Sequence, residues 1–190
     1  MSKLQKDLTT GSVFRCLIMF ALPFLLSNIV QSLYNVADMY IVGKFDGPVG
    51  ISGVNIGGQV TFLMTNIVVG LSTGGTIIIA QYLGAKREDD AKQTISTMLV
   101  VLIMSAVVIT ALMLIFANQI LKLIQTPADS FAAAKEYLDV TVLGTVFIFG
   151  YNALSAVMRG MGDSKTPMIF VCVACVVNIF ADLFFVGVLK

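Results

Sequence analysis

The sequence predicts an all-α integral membrane protein with five transmembrane helices, and three observations support this class. Of the 190 residues, 57% are hydrophobic and only 12% are charged, with a mean hydropathy of +0.93. A soluble domain of this length carries roughly twice that share of charged residues. The charged residues also cluster in short segments. Between them lie apolar stretches longer than the roughly 20 residues that a helix needs to cross a bilayer.

Five apolar segments have the length of a membrane span. They cover residues 14–42, 52–84, 93–122, 132–158 and 167–189. The first four are longer than the minimum, which favours tilted helices or helices that extend beyond the lipid. The connections are rich in turn and charged residues, namely "GKFDGPVG", "GAKREDDAK", "QTPADS" and "RGMGDSKTP".

The distribution of lysine and arginine predicts the orientation, because cytoplasmic loops carry an excess of both. Eight of these residues fall on one side of the predicted membrane and four on the other. The richer side holds Lys3, Lys6, Arg15, Lys86, Arg87, Lys92, Arg159 and Lys165, and the poorer side holds Lys44, Lys122, Lys135 and Lys190. We therefore expect a multi-pass protein of the plasma membrane with a cytoplasmic N-terminus.

The first span carries hydrogen-bonding side chains on one helical face. Gln31, Tyr34, Asn35 and Asp38 recur at the three- and four-residue spacing of a single face. Asp38 lies five residues before Gly43, which is about 7–8 Å along the helix axis, so we place it in the outer half of the membrane.

The fifth span repeats the pattern with Asn178 and Asp182, four residues apart. Spans one and five run in the same direction, so their aspartates are expected at matched depth and can meet in one site. Two facing carboxylates in a membrane require a proton or a cation between them. Carboxylate, amide and phenol oxygens suit Na⁺ or a proton. The alternative is that each aspartate lies at the interface, where it snorkels to water or caps a helix end.

The second span carries a polar stripe and a pair of glycines. Gln59, Asn66 and Thr73 recur every seven residues, and this stripe either lines a central cavity or packs against protein. Gly70 and Gly74 form a G-x-x-x-G pattern, which predicts close helix packing, and the alternative is that they belong to a cavity-lining face.

No catalytic constellation is present in the sequence. There is no histidine to activate a serine or cysteine nucleophile, and neither glycine-rich loop has the spacing of a phosphate-binding P-loop. We therefore expect no enzymatic activity and no organic cofactor. No cluster of lysine or arginine indicates a nucleic-acid partner.

The chain resembles the N-terminal part of the multidrug and toxic compound extrusion (MATE) transporters over nearly its whole length. The resemblance lies in "ALPFLLSNIVQSLYNVADMYIVGKFDGPVGISGVNIG", "GLSTGGTIIIAQYLGAKREDDAKQ", "MRGMGDSKTPM" and "VVNIFADLFFV". It implies a partial N-lobe made of five of six helices, with helix six and the C-lobe outside residues 1–190.

The resemblance also implies a function and a site. Family members export organic cations and drugs by alternating access, in antiport with Na⁺ or H⁺. Residues matching the family's N-lobe cation site are Asp38, Asn178 and Asp182, with Tyr34 as a neighbour, and the three would be the Na⁺ ligands if Na⁺ is the coupling ion. Gln31, Asn35, Asn66 and Thr73 are candidates for lining the cavity. Expected partners are small organic cations or drugs, the lipid bilayer, and a second lobe or partner chain.

Two other functions stay open at this point. One is the export of lipid-linked or polysaccharide precursors within the same superfamily, which would favour a basic cavity. The other is a non-transporting membrane assembly subunit, which would have no need of buried acids.

Overall fold

The computed structural model describes residues 12–185, and this part of the chain folds into six α-helices with no β-strand. The helices are α1 (Val13–Phe45), α2 (Gly47–Gly84), α3 (Glu88–Leu123), α4 (Phe131–Leu143), α5 (Thr145–Gly160) and α6 (Lys165–Phe184). The predicted all-α class is confirmed. The predicted end of the fifth span at residue 189 lies outside the described residues, as do Lys3, Lys6 and Lys190 of the charge count.

Four of the described helices are long and apolar enough to cross a membrane: α1 with 33 residues, α2 with 38, α3 with 36 and α6 with 20. Helices α4 and α5 together form a fifth candidate span, bent by 54°. The segment predicted as one span over residues 132–158 is therefore interrupted at Gly144. The Thr145 hydroxyl donates to the Thr141 carbonyl at 3.4 Å, and the Gly144 N–H bonds Val140. Such local bonds satisfy backbone groups that a helix break leaves open.

The described residues divide into two compact units. Unit 1 comprises residues 12–41, 73–97 and 154–185, and unit 2 comprises residues 42–72 and 98–153. The core of unit 2 is formed where α2, α3 and α4 meet. Its buried members are Val60, Met64, Met113, Ala117, Leu121, Ala134, Leu138 and Val142.

Within unit 2, two glycines of α2 bring it into close contact with α4. A Cβ atom at Gly53 would lie 2.6 Å from the Cβ of Ala133, and one at Gly57 would lie 2.5 Å from Cδ1 of Tyr137. Both distances are shorter than carbon atoms tolerate, so these positions accept no side chain without movement of the helices. The close-packed G-x-x-x-G pair of α2 is therefore Gly53 and Gly57.

The packing predicted for Gly70 and Gly74 is wrong for the described part of the chain. A Cβ atom at either position would meet no atom of the described residues within 4 Å, apart from the backbone of its own helix. The spacing of the two glycines is right for a close contact, but no described helix lies against them.

Three helices end in the same capping motif, in which the C′ residue takes a left-handed backbone conformation. The C′ residues are Lys86 (φ 59°) after α2, Gln125 (φ 55°) after α3 and Gly162 (φ 83°) after α5. After α3, the N–H of Gln125 bonds the carbonyl of Lys122 and the N–H of Thr126 bonds that of Leu121, at 3.0 and 3.1 Å. Left-handed backbone costs an ordinary L-residue about 1–2 kcal/mol, and glycine avoids that cost.

We therefore expect Gln125→Gly to stabilise the chain by about 1 kcal/mol, because it removes the steric cost of the left-handed conformation. Gln119→Gly is the matched control, since Gln119 is an exposed residue inside the same helix. There the same substitution is expected to cost about 1 kcal/mol, because glycine weakens a helix interior. Thermal unfolding in detergent measures both changes, and a loss of stability in both variants would contradict the prediction.

Candidate cation site

The polar face of α1 divides into two pairs of residues. Tyr34 and Asp38, one turn apart, are half-buried, whereas Gln31 and Asn35 are exposed. All four belong to unit 1. The half-buried pair therefore lies on the side of α1 that other described residues partly cover.

Helix α6 carries Asp182 on the same face as its buried residues. Pro167, Val171 and Cys175 are buried at four-residue intervals, which makes them the inward face of the helix. Asn178 and Asp182 follow on the same face at intervals of three and four residues. Asn178 is exposed and Asp182 is half-buried. The apolar stripe thus carries the carboxylate at its end.

The structure brings the two predicted aspartates together within unit 1. The Asp182 carboxylate lies close enough to Asp38 to repel its negative charge. The Oδ2 atom of Asp182 is buried and has no hydrogen-bond partner among the described residues. Buried carboxylate oxygens are normally paired, so an unpaired one beside a second acid needs a positive partner.

The donor set at these two acids suits a hard monovalent cation or a proton. It comprises two carboxylates, with the Asn178 amide and the Tyr34 hydroxyl each one helical turn away. Within residues 12–185, no three cysteine, aspartate or glutamate side chains converge on a metal-sized space. Neutral and anionic oxygens without sulfur or imidazole do not select transition metals.

The four candidate cavity residues are all exposed, but they do not belong to one unit. Gln31, Asn35 and Thr73 lie in unit 1, and Asn66 lies in unit 2. The Asn66 amide nitrogen donates to the Phe62 carbonyl of its own helix at 2.9 Å. Its amide oxygen is the acceptor that remains for another group.

One acid that the sequence analysis did not single out is buried at the junction of α5 and α6. Asp163 is 5% exposed. Its Oδ1 accepts the backbone N–H groups of Lys165 and Thr166 at 3.0 and 3.3 Å, and its Oδ2 accepts the Thr166 hydroxyl at 2.5 Å. An aspartate just before a helix whose first turn contains a proline is a recognisable N-terminal signal, and it could have identified this residue.

Comparisons with known proteins find relatives over most of the chain. The MatE family model matches residues 23–184. The chain is 33% identical over 168 residues to the probable multidrug resistance protein YoeA of Bacillus subtilis, covering 88% of this chain and 36% of that protein.

Two solved structures are similar over nearly the whole chain. The MATE multidrug transporter DinF-BH, solved as a complex, superposes with a TM-score of 0.90 at 25% identity, over 98% of this chain and 42% of that one. A MOP superfamily transporter from Pyrococcus furiosus, noted for the reverse polarity of its binding pocket, has a TM-score of 0.89 at 25% identity, over 95% and 40%.

These relatives are resistance proteins and transporters rather than enzymes. The chain spans about two fifths of the length of the relatives that it matches. The family model covers most of the chain, and the helices superpose on solved transporters of that family. The chain is therefore a member of the MatE family.

Proposed function

We propose that the chain forms part of a secondary active transporter that exports organic cations or drugs in exchange for Na⁺ or H⁺. In this proposal the coupling ion binds between Asp38 and Asp182, with Asn178 and Tyr34 as neighbouring donors. The observation that carries the proposal is the buried Oδ2 of Asp182, which has no hydrogen-bond partner among residues 12–185 and lies near the Asp38 carboxylate. A structural role alone would be expected to leave that oxygen hydrogen-bonded.

The negative charge of Asp38 and Asp182 explains how the coupling ion would bind. When both acids are ionised, their repulsion in a low-dielectric environment favours uptake of a cation. When the cation is bound, the local negative charge falls, and the repulsion between the two acids falls with it. Na⁺ and a proton can both produce this change, since the same oxygens bind either ion.

The polarity of the spans favours cationic substrates. Between residues 16 and 42 and between 166 and 184 the only charged side chains are Asp38 and Asp182, and residues 47–85 carry none. Exposed polar groups on α1 and α2, such as Gln31 and Asn66, are neutral amides. These segments therefore offer negative charge and hydrogen bonds to a substrate, and no basic group that would attract a phosphate or carboxylate.

We further propose that transport requires a second lobe, on the same or on another polypeptide, because the relatives are about two and a half times as long as the matched part. The excess of basic residues at the ends of α2 and α5 supports an orientation in which the N-terminus is cytoplasmic. An immunoblot of native membranes would show whether both lobes share one chain.

Transport is best tested in native membranes, where any second lobe is present. Everted vesicles from cells that produce the chain are compared with vesicles from a deletion strain. We expect vesicles that contain the chain to accumulate a fluorescent organic cation when a Na⁺ or proton gradient is imposed, and re-expression to restore accumulation in the deletion strain. The matched control is an anionic dye of similar ring structure, which should not accumulate.

Each alternative function gives a different result in the same assay. Preferential accumulation of the anionic dye would indicate an exporter of lipid-linked or polysaccharide precursors. If deletion changes the transport of neither dye, the chain is a non-transporting assembly subunit, and the proposal is wrong.

A further inference from the structure

We infer that Asp163 is a positioning residue, which fixes the direction of α6 and thereby holds Asp182 opposite Asp38. This inference rests on the proposed function of the aspartate pair. Asp163 lies at the other end of α6 from Asp182 and takes no part in cation binding itself. Asp38, Asp163 and Asp182 all belong to unit 1.

The junction between α5 and α6 depends on Asp163 at both of its ends. Its backbone N–H bonds the Met158 carbonyl at 2.9 Å, which completes the capping motif of α5. Its carboxylate accepts the N–H groups of the first two residues of α6, Lys165 and Thr166. Ser164, at the N-cap position, makes no side-chain cap of its own. One buried residue therefore connects the end of α5, through its backbone N–H, to the start of α6, through its carboxylate.

The α5 side of this junction is packed firmly against α2. The Thr76 hydroxyl donates to the Ala156 carbonyl at 3.1 Å. A Cβ atom at Gly160 would lie 3.1 Å from the carbonyl oxygen of Thr76 and 3.1 Å from Ile79. This close approach gives Asp163 a rigid base from which to orient α6.

The length of α6 amplifies any error at its start. Asp182 lies 17 residues beyond Lys165, which is about 26 Å along the helix axis. A tilt of about 5° at the junction would therefore move Asp182 by about 2 Å, whereas a binding constellation has to be held to about 0.5 Å. A rotation of α6 about its axis would move Asp182 off the inward face. A negative charge at the helix N-terminus is also favourable to the helix dipole, which strengthens the cap.

A cross-linking experiment tests the inference through geometry alone. The native cysteines Cys16, Cys172 and Cys175 are replaced by alanine, and cysteines are introduced by Asp38→Cys and Asp182→Cys. A protease site is inserted in the exposed loop before α4. The membranes are treated with a short bifunctional thiol reagent and then with the protease. A chain in which positions 38 and 182 are cross-linked still migrates as one piece on a denaturing gel. We expect efficient cross-linking in this background.

The variants at the junction give the decisive comparison. Asp163→Ala is expected to lower the cross-linking rate by at least about threefold, because misplacements of the order of 1 Å strongly slow reactions between paired groups. Asp163→Asn should restore the rate, since its amide oxygen can still accept the two N–H groups. Thr166→Val removes only the hydroxyl that donates to Asp163, so it should lower the cross-linking rate less. It replaces Asp163→Ala in the comparison if that variant is poorly produced.

Asp129→Ala is the matched control, because Asp129 is an exposed aspartate in the loop before α4. It should leave the rate unchanged. If Asp163→Ala and Thr166→Val both cross-link at the unsubstituted rate, the positioning role is wrong and the aspartate pair stands. If the chain fails to cross-link even with Asp163 intact, the two aspartates are not neighbours, and the proposed site itself is overturned along with this inference.

Discussion

Replacing Asp182 with asparagine is expected to abolish the stabilisation of the chain by its coupling ion. A ligand that binds the folded state at 100 times its dissociation constant adds about 2.7 kcal/mol to the free energy of unfolding. For a chain of this size, such a gain raises the melting temperature by about 5–11 °C. Asparagine has nearly the shape of aspartate but no negative charge, so the fold is retained while the attraction for a cation is lost. Asp38→Asn should have the same effect.

The measurement is the melting temperature of the purified chain in detergent, with Na⁺ replaced stepwise by K⁺ at constant ionic strength. Asp46→Asn is the matched control, because Asp46 is an exposed carboxylate between α1 and α2. We expect this variant to keep the full Na⁺-dependent shift. Equal shifts in Asp182→Asn and in the unsubstituted chain would show that Na⁺ binds elsewhere.

The same titration distinguishes the two coupling ions. If the ion is Na⁺, the stabilisation saturates with Na⁺ at neutral pH. If the ion is a proton, Na⁺ has no effect, and stabilisation appears on acidification in Na⁺-free K⁺ buffer and is lost in both aspartate variants. Tyr34→Phe and Asn178→Ala, which remove neighbouring neutral donors, should reduce the stabilisation without abolishing it.

The sequence predicts the helices and the acid pair because both depend on local patterns. Charged residues inside a membrane are costly, so long uncharged runs define the spans almost directly. The sequence predicts the pairing of Asp38 with Asp182 because successive spans alternate in direction, which makes spans one and five parallel. Each acid also lies a few residues inside the corresponding predicted end of its span. Neither step requires knowledge of which helices touch.

Other features depend on tertiary contacts that the sequence pattern does not contain. Gly53 and Gly57 have the same spacing as Gly70 and Gly74, yet only the first pair meets a described helix. No proline lies near Gly144 in the sequence that would predict the helix break there. The helix ends at Lys86 and Gln125 use left-handed backbone at residues that rarely adopt it.

Gly53→Ala is expected to destabilise unit 2 more than any other single methyl group added to α2. The new Cβ would lie 2.6 Å from the Cβ of Ala133, and 3.0 and 3.1 Å from backbone atoms of α4. Because backbone atoms cannot rotate away, α2 and α4 have to separate, and overpacking of this kind costs about 1–3 kcal/mol. In lipid there is little hydrophobic gain to offset the lost contact, since the helices are held together mainly by close packing.

Gly58→Ala, five positions along the same helix, is the control that separates the cost of the contact with α4 from the change in helix propensity. Apart from the backbone of its own helix, a Cβ atom there meets no atom of the described residues within 4 Å. The gain of about 1 kcal/mol in helix propensity on replacing glycine by alanine is the same at both sites. The propensity gain cancels between the two variants, so they should differ by the overpacking cost of about 1–3 kcal/mol in unfolding free energy, the control being the more stable. Ala133→Gly removes the clash between Cβ atoms but leaves the backbone contacts and itself costs helix propensity. In a double-mutant cycle, Gly53→Ala should therefore cost less in the Ala133→Gly background than in the unsubstituted chain. Equal stabilities for Gly53→Ala and Gly58→Ala would mean that α2 and α4 do not approach this closely.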